Sequence, residues 1–284
     1  MTDEGEAVSI FVEAAQLNRD DPLLRGSLLE FPAYGQLVMT GDLHGHRRNF
    51  EKLQRYCDLE HFGARHVILH EVIHEDVTSL TGRDNSHELL LDAARWKCAF
   101  PDQVHFLQSN HELAQATSHE ISKNGRIVTL AFEQAVAQHF ARDPEHVIEA
   151  IHEFIRSLAL AGRTQHRVFL SHSLPGPRDA ETFDHTVFSR VPTDDDYKDK
   201  GPGHMLVWGR YQSADTINTL RQILDADYFI CGHQPQETGY AVLHDRMVIL
   251  ASDHNHGVFL PIDLGKPATV ESLLRSIRPF AGVM

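Results

Sequence analysis

Five short polar clusters punctuate this chain, and each stands at or just beyond a run that reads as a β-strand. GDLHG follows Gln36–Thr40, HEVIHED follows His66–Leu69 and SNHE lies just past Val104–Leu107; SHS comes at the end of Arg167–Leu170, and CGHQPQ at the end of Tyr228–Cys231. The runs are short, apolar and bounded by turn-forming residues, as buried strands are. Helical spacing appears between them over Glu6–Asn18, Arg47–Tyr56, Ser86–Cys98 and about 127–160, broken near Asp143-Pro144, because proline cannot continue a helix. Strands that alternate with helices predict an α/β sheet, whose ligands gather at the carboxyl ends of the strands. Further strands are expected at Tyr240–Leu243, Met247–Ala251 and Val258–Ile262, with a last helix near Val270–Ile277. A polar, Pro- and Gly-rich stretch over about 174–204 reads as a loop, either solvated or a surface for a partner.

The clusters share one chemistry. They offer carboxylate oxygens, imidazole nitrogens and an amide oxygen from several strand ends, a donor set suited to a pair of divalent cations of hard or borderline character. Taken singly each is weak: a lone Asp-x-His is usually a solvated turn, and the chain holds 21 histidines. The net charge of −14 argues against long nucleic acid or an anionic membrane as partner, but not against a small anion in a local cationic pocket. Cys57, Cys98 and Cys231 are spaced apart, which fits a reducing compartment with no disulfide framework. No apolar run approaches a membrane span and the first residues are acidic, so a cytoplasmic protein is expected.

The segment HEVIH spells the H-E-x-x-H of zinc proteases. That chemistry needs both histidines on one face of a helix, whereas this segment follows a β-like Val-Ile-Leu run. A protease reading also leaves GDLHG, SNHE and CGHQPQ without a role.

The order of clusters resembles the calcineurin-like metallophosphoesterases, and more closely their phosphoprotein-phosphatase-like branch. The family pattern GDxHG, GDxxDRG, GNHE, a single His and a final GH is matched by Gly41–Gly45, the segment around Glu71, Asn110-His111-Glu112, His172 in LSHS, and Gly232-His233. CGHQPQETGYAVL, with Asp253 downstream, is similar to that branch too. The motifs span about residues 36–260 of a chain expected to be one domain over 1–284, with a helical extension over 1–35. The resemblance implies two packed mixed β-sheets flanked by helices, with the active site at strand C-terminal ends. It implies a hydrolase of phosphoesters, using two metal ions (Mn, Fe or Zn) and a hydroxide that bridges them. Asp42 and His44 would hold one ion, Asn110, His172 and His233 the other, with Glu71 at the bridging position. His111 matches the histidine that assists the leaving group.

The second motif departs from the pattern. His70 stands where the family has glycine, Glu71 where it has the bridging aspartate, and His74 and Glu75 where it has an aspartate and the phosphate-gripping arginine. Arg83 and Arg210 are the replacement candidates for that grip. Glu75 or Asp76 is expected to orient His111 in place of the missing aspartate. Three readings follow: a serine/threonine phosphatase-like enzyme acting on a phosphoprotein or small phosphoester, a dinucleoside polyphosphate hydrolase, and a catalytically impaired, metal-stabilised binding protein.

Overall fold

The computed structural model describes residues 3–75, 82–117, 119–123 and 125–284. Strands β1 (Leu24–Arg25), β2 (Leu28–Phe31), β3 (Gln36–Thr40), β4 (Arg65–Leu69) and β5 (Val104–Phe106) are followed by a small hairpin of β6 (Ser122–Lys123) and β7 (Arg126–Ile127). Then come β8 (Ala161–Thr164), β9 (Val168–Ser171), β10 (Tyr228–Cys231), β11 (Tyr240–Leu243), β12 (Met247–Leu250), β13 (Val258–Asp263) and β14 (Arg278–Pro279). The helices are α1 (Glu4–Arg19), α2 (Arg47–Cys57), α3 (Ser86–Ala99), α4 (Asn110–Ala116), α5 (Val128–His139), α6 (Pro144–Arg156), α7 (Pro202–Trp208), α8 (Ala214–Ile223) and α9 (Val270–Ser276).

One mixed sheet runs β1-β2-β8-β9-β10-β12-β11 and the other β14-β13-β3-β4-β5. Alternation along the strands decides what each face packs against. Leu37 and Met39 of β3, Ile230 of β10, and Val248 and Leu250 of β12 meet in a core between the two sheets. Val38 of β3 and Val67 and Leu69 of β4 point the other way, into α1, α2, α3, α5 and α6. Phe229, Cys231, Met247 and Ile249 face outward from the larger sheet against α7 and α8. The result is two mixed sheets back to back with helices on both outer faces, the fold class the motif order implied.

Two regions differ from expectation. Residues 24–31 are not helical: β2 buries Leu28, Leu29 and Phe31 and pairs in parallel with β8, so the larger sheet begins before the first motif. The 174–204 stretch leaves most of its residues exposed, but it is not structureless. It folds into 3-10 turns over Ala180–Thr182, His185–Ser189 and Asp194–Tyr197, and packs Phe183 and Val187 into the outer core. Arg190 grips Asp196 through two hydrogen bonds of 2.6 Å each. All three cysteines are free. Among the described residues no helix is long and apolar enough to cross a membrane.

Candidate metal centre

Strands β3, β4 and β5 run parallel, as do β9 and β10, so five carboxyl ends deliver polar residues to one edge where the sheets meet. Two glycines permit the close approach. A Cβ on Gly41 would lie 2.2 Å from the Leu250 carbonyl oxygen, and one on Gly232 would lie 2.2 Å from Asp42 Oδ1 and 2.5 Å from His70 Cε1. Only glycine fits either position.

Asp42, His70 and His172 form one buried group that could hold a cation, and His44, Glu71 and His111 form another. Asp42 is fixed by the His233 N–H, which donates to both carboxylate oxygens at 2.9 Å. Its Oδ1 lies 3.6 Å from the Nδ1 atoms of His70 and His172. Glu71 has a left-handed backbone, φ +47°, sparsely populated for a residue with a Cβ. Its carbonyl accepts from the N–H groups of Leu43 and His44, both at 2.8 Å. So anchored, its carboxylate spans the two groups: Oε1 is 3.1 Å from His44 Nε2, and Oε2 is 2.9 Å from His172 Nε2. Around His172 Nε2, Asn110 Oδ1 lies at 2.7 Å and His233 Nδ1 at 3.1 Å, and those last two are 2.9 Å from each other.

A neutral imidazole carries one proton and one lone pair, so hydrogen bonds inside this group cannot satisfy every member. His233 Nε2 is buried without a hydrogen-bond partner, and Glu71 Oε2 meets only His172 Nε2, at 2.9 Å, so it is satisfied only when that nitrogen carries a proton. A bare buried polar atom costs about 1–3 kcal/mol. Converging lone pairs, a carboxylate oxygen's among them, are what a cation would satisfy, and the donor types fit borderline divalent metals.

Burial and the charge of Glu71 push Asp42 up to about 7. Burial works against ionising Glu71 as well, yet the histidines around it, His172 first among them, outweigh it and hold that carboxyl well below the usual range. His44 is driven down by burial but further up by Glu71, to about 10. One carboxylate of the coupled pair therefore ionises at the expense of the other.

The inserted histidines occupy defined places. His70 Nε2–H donates to the Thr40 carbonyl at 2.9 Å, leaving its Nδ1 to accept from His172 Nδ1–H at 2.9 Å. With His172 neutral, as a metal ligand must be, this chain places its lone pair on Nε2, facing Asn110 and Glu71. His74 repeats the device, donating from Nε2 to Gln115 Oε1 at 2.9 Å and accepting from His111 Nδ1–H at 2.8 Å. The orienting partner of His111 is therefore His74 itself. Glu75 turns away to accept from the Asn85 N–H, and Asp76 lies outside the described residues. Because Glu71–Ile73 is not helical and His70 and His74 serve different neighbours, the H-E-x-x-H spelling is coincidental. Glu112 pins the segment by accepting from the Val72 N–H at 2.7 Å.

Asp42, His44, Glu71, Asn110, His111, His172 and His233 all reach the centre. Arg210 stands near it, its positive charge helping burial and His172 to lower His233 to about 2. Arg83 is exposed and bears instead on His87. The cation missed from sequence is Lys123 in the β6–β7 hairpin, whose charge bears on both His44 and His111. Nothing in its sequence neighbourhood marks it, since its proximity depends on the hairpin folding back.

No protein-family model matches the chain, and no curated protein matches it by sequence. Solved structures do match. The chain is similar to a protein serine/threonine phosphatase from Saccharomyces cerevisiae with similarity to human phosphatase PP5, at 15% identity and a TM-score of 0.68, covering 99% of this chain and 94% of that one. It is also similar to the cold-active protein-tyrosine phosphatase of a psychrophilic Shewanella species, at 12% identity and a TM-score of 0.62, covering 94% of this chain and 82% of that one. The chain thus shares the overall fold of these two proteins.

Proposed function

We propose that this protein is a metal-dependent phosphoester hydrolase that acts on phosphorylated protein side chains. The observation that carries the reading is the convergence of Asn110 Oδ1, His172 Nε2, His233 Nδ1 and Glu71 Oε2 within about one cation's coordination shell, with Glu71 reaching on to His44. Asn110, His172 and His233 would hold one ion, Asp42 and His44 the other, with Glu71 between them. Two bound ions of the Mn, Fe or Zn class would supply an activated water at neutral pH and neutralise charge on the phosphoryl group.

The rest falls to the chain's own side chains. Burial holds His74 and His111 below the ordinary imidazole range, so both are neutral in the resting protein. The hydrogen bond to His74 leaves the Nε2 of His111 facing Glu71 at 3.9 Å. A phosphate dianion beside that nitrogen favours its protonated form, so substrate binding loads the proton that the leaving oxygen needs. Arg210, whose charge bears on His233, and Lys123, whose charge bears on His44 and His111, would grip the non-bridging oxygens in place of the missing arginine. A pocket of about 630 Å³, lined by Leu113 and Ala114 of α4 with Tyr197, Lys198, His204 and Trp208, adjoins the centre and would take the leaving group. Trp208 meets the His233 ring edge-on at 6.3 Å between centroids.

Hydrolysis of p-nitrophenyl phosphate and a phosphopeptide with Mn(II) tests this. Asp42→Asn and His111→Asn should each lower kcat, the latter by about 10²–10⁴-fold, the range for a general acid. Bound metal with no turnover of any phosphoester would leave a metal-stabilised binding protein. Turnover confined to dinucleoside polyphosphates would move the substrate.

A further inference from the structure

A second cluster of metal-ligating side chains lies apart from the centre. His87 and Glu88 occupy the first turn of α3, and His139 is the last residue of α5. One ligand atom from each lies within 4.8 Å of the other two. His87 is 3% exposed, and neither of its ring nitrogens has a hydrogen-bond partner. Its ring meets the His139 ring edge-on at 5.1 Å, and Phe132 and Phe140 pack on it at 6.3 Å each, so no water-filled space surrounds it on those sides. A neutral imidazole has a donor and an acceptor to satisfy, and protein atoms here satisfy neither.

We propose that His87, Glu88 and His139 form a second metal site, selective for a zinc-like divalent cation. Two imidazoles and a carboxylate are the ligand set of a three-coordinate protein site that leaves a fourth position for solvent. Ligand atoms around a tetrahedral zinc ion stand about 3.3 Å apart, and His139 Nδ1 and Glu88 Oε1 are already 3.4 Å apart. The open position faces a pocket of about 350 Å³ that Arg47, Asp92 and Arg95 also line. Asp92 offsets both arginines, bonding Arg47 at 2.7 Å and Arg95 at 2.9 Å. The carboxyl end of α5 at His139 favours a cation, while the exposed Arg83 opposes one through solvent.

This site does not depend on what the main centre does. Equilibrium dialysis against buffered free zinc should show the unaltered protein taking up one ion more than a Glu88→Gln, His139→Gln variant. A zinc-edge anomalous map of the unaltered protein should place that ion between His87 and His139, within about 2.0–2.2 Å of its ligand atoms. Equal uptake by the two proteins, or a map with no peak at His87, would overturn the proposal.

Discussion

Two buried polar clusters in this molecule use the same ingredients and end differently. Beneath β4 and β5, Asp21 accepts from the Leu23 N–H at 3.0 Å on Oδ1, and from Lys97 at 2.9 Å and His105 at 2.7 Å on Oδ2. Lys97 also donates to the Pro101 carbonyl at 2.7 Å, and His105 Nε2 meets His66 Nδ1 at 3.1 Å. No fully buried side-chain nitrogen or oxygen of these four residues is left without a partner, and none of the four has a positive φ. At the candidate metal centre, His233 Nε2 is bare and Glu71 Oε2 has only His172 Nε2 beside it, and His44, Glu71, His74 and His233 all have positive φ. One cluster is closed by its own protons; the other is held open in a strained backbone. Strain and orphaned polar atoms persist where something other than folding selects for them. The closed cluster contributes its stability at once, whereas under the proposed function the open one would gain it when cations bind.

The largest effect that could break this contrast is on stability at the closed cluster. Lys97→Met leaves Asp21 charged and buried without its ammonium, which costs about 3–5 kcal/mol, while metal uptake is unchanged. An unfolding midpoint equal to that of the parent in urea would refute the closed-network reading. Next, manganese at a hundred times its dissociation constant should stabilise the protein by about 2.7 kcal/mol. Asp42→Asn together with His233→Ala should remove that gain, and a gain that survives the two changes would place the ion elsewhere. Smaller still, His70→Ala frees the tautomer of His172, and manganese affinity should fall about 10–100-fold. Titration calorimetry would detect that loss, and an unchanged affinity would make His70 a packing residue only.

The mildest test is pH. His66, lowered to about 4 chiefly by burial, has a folded pKa below the 6.5 of free imidazole. The unfolded chain therefore binds more protons there, and stability present above pH 6.5 is lost as pH falls towards 4. Burial opposes ionising Asp21, but His105 and Lys97 prevail and hold it below its ordinary 3.8. Its share is intact above that value and lost beneath it. Denaturation midpoints followed from neutral to acid should decline in these two stages, and a rise on acidification would contradict them.

Much of this was legible in the chain. The strands at Gln36–Thr40, Tyr228–Cys231 and Tyr240–Leu243 have the boundaries their apolar runs suggest, because buried strands leave an unbroken signal. The cluster residues were legible as donors, since each follows such a run. The short β2 was hidden because four residues carry too little pattern to separate them from the helix before them. The roles of His70 and His74 were hidden for another reason. A histidine's partner lies across the fold, 102 residues away for His70 and 37 for His74, and local sequence is silent on that. Arg83 is suited to phosphate on resemblance alone, because with the helix that follows it resembles the family's arginine after an insertion; its charge bears on His87.

The central claim is that Glu71 lies between two cations. A manganese-edge anomalous map of crystals grown with Mn(II), using the Glu88→Gln variant to exclude the peripheral cluster, tests it most directly. Two peaks about 3.5–4 Å apart, one on each side of the Glu71 carboxylate, are the expected result. A single peak, or a Glu71 side chain turned away from both ions, would contradict it.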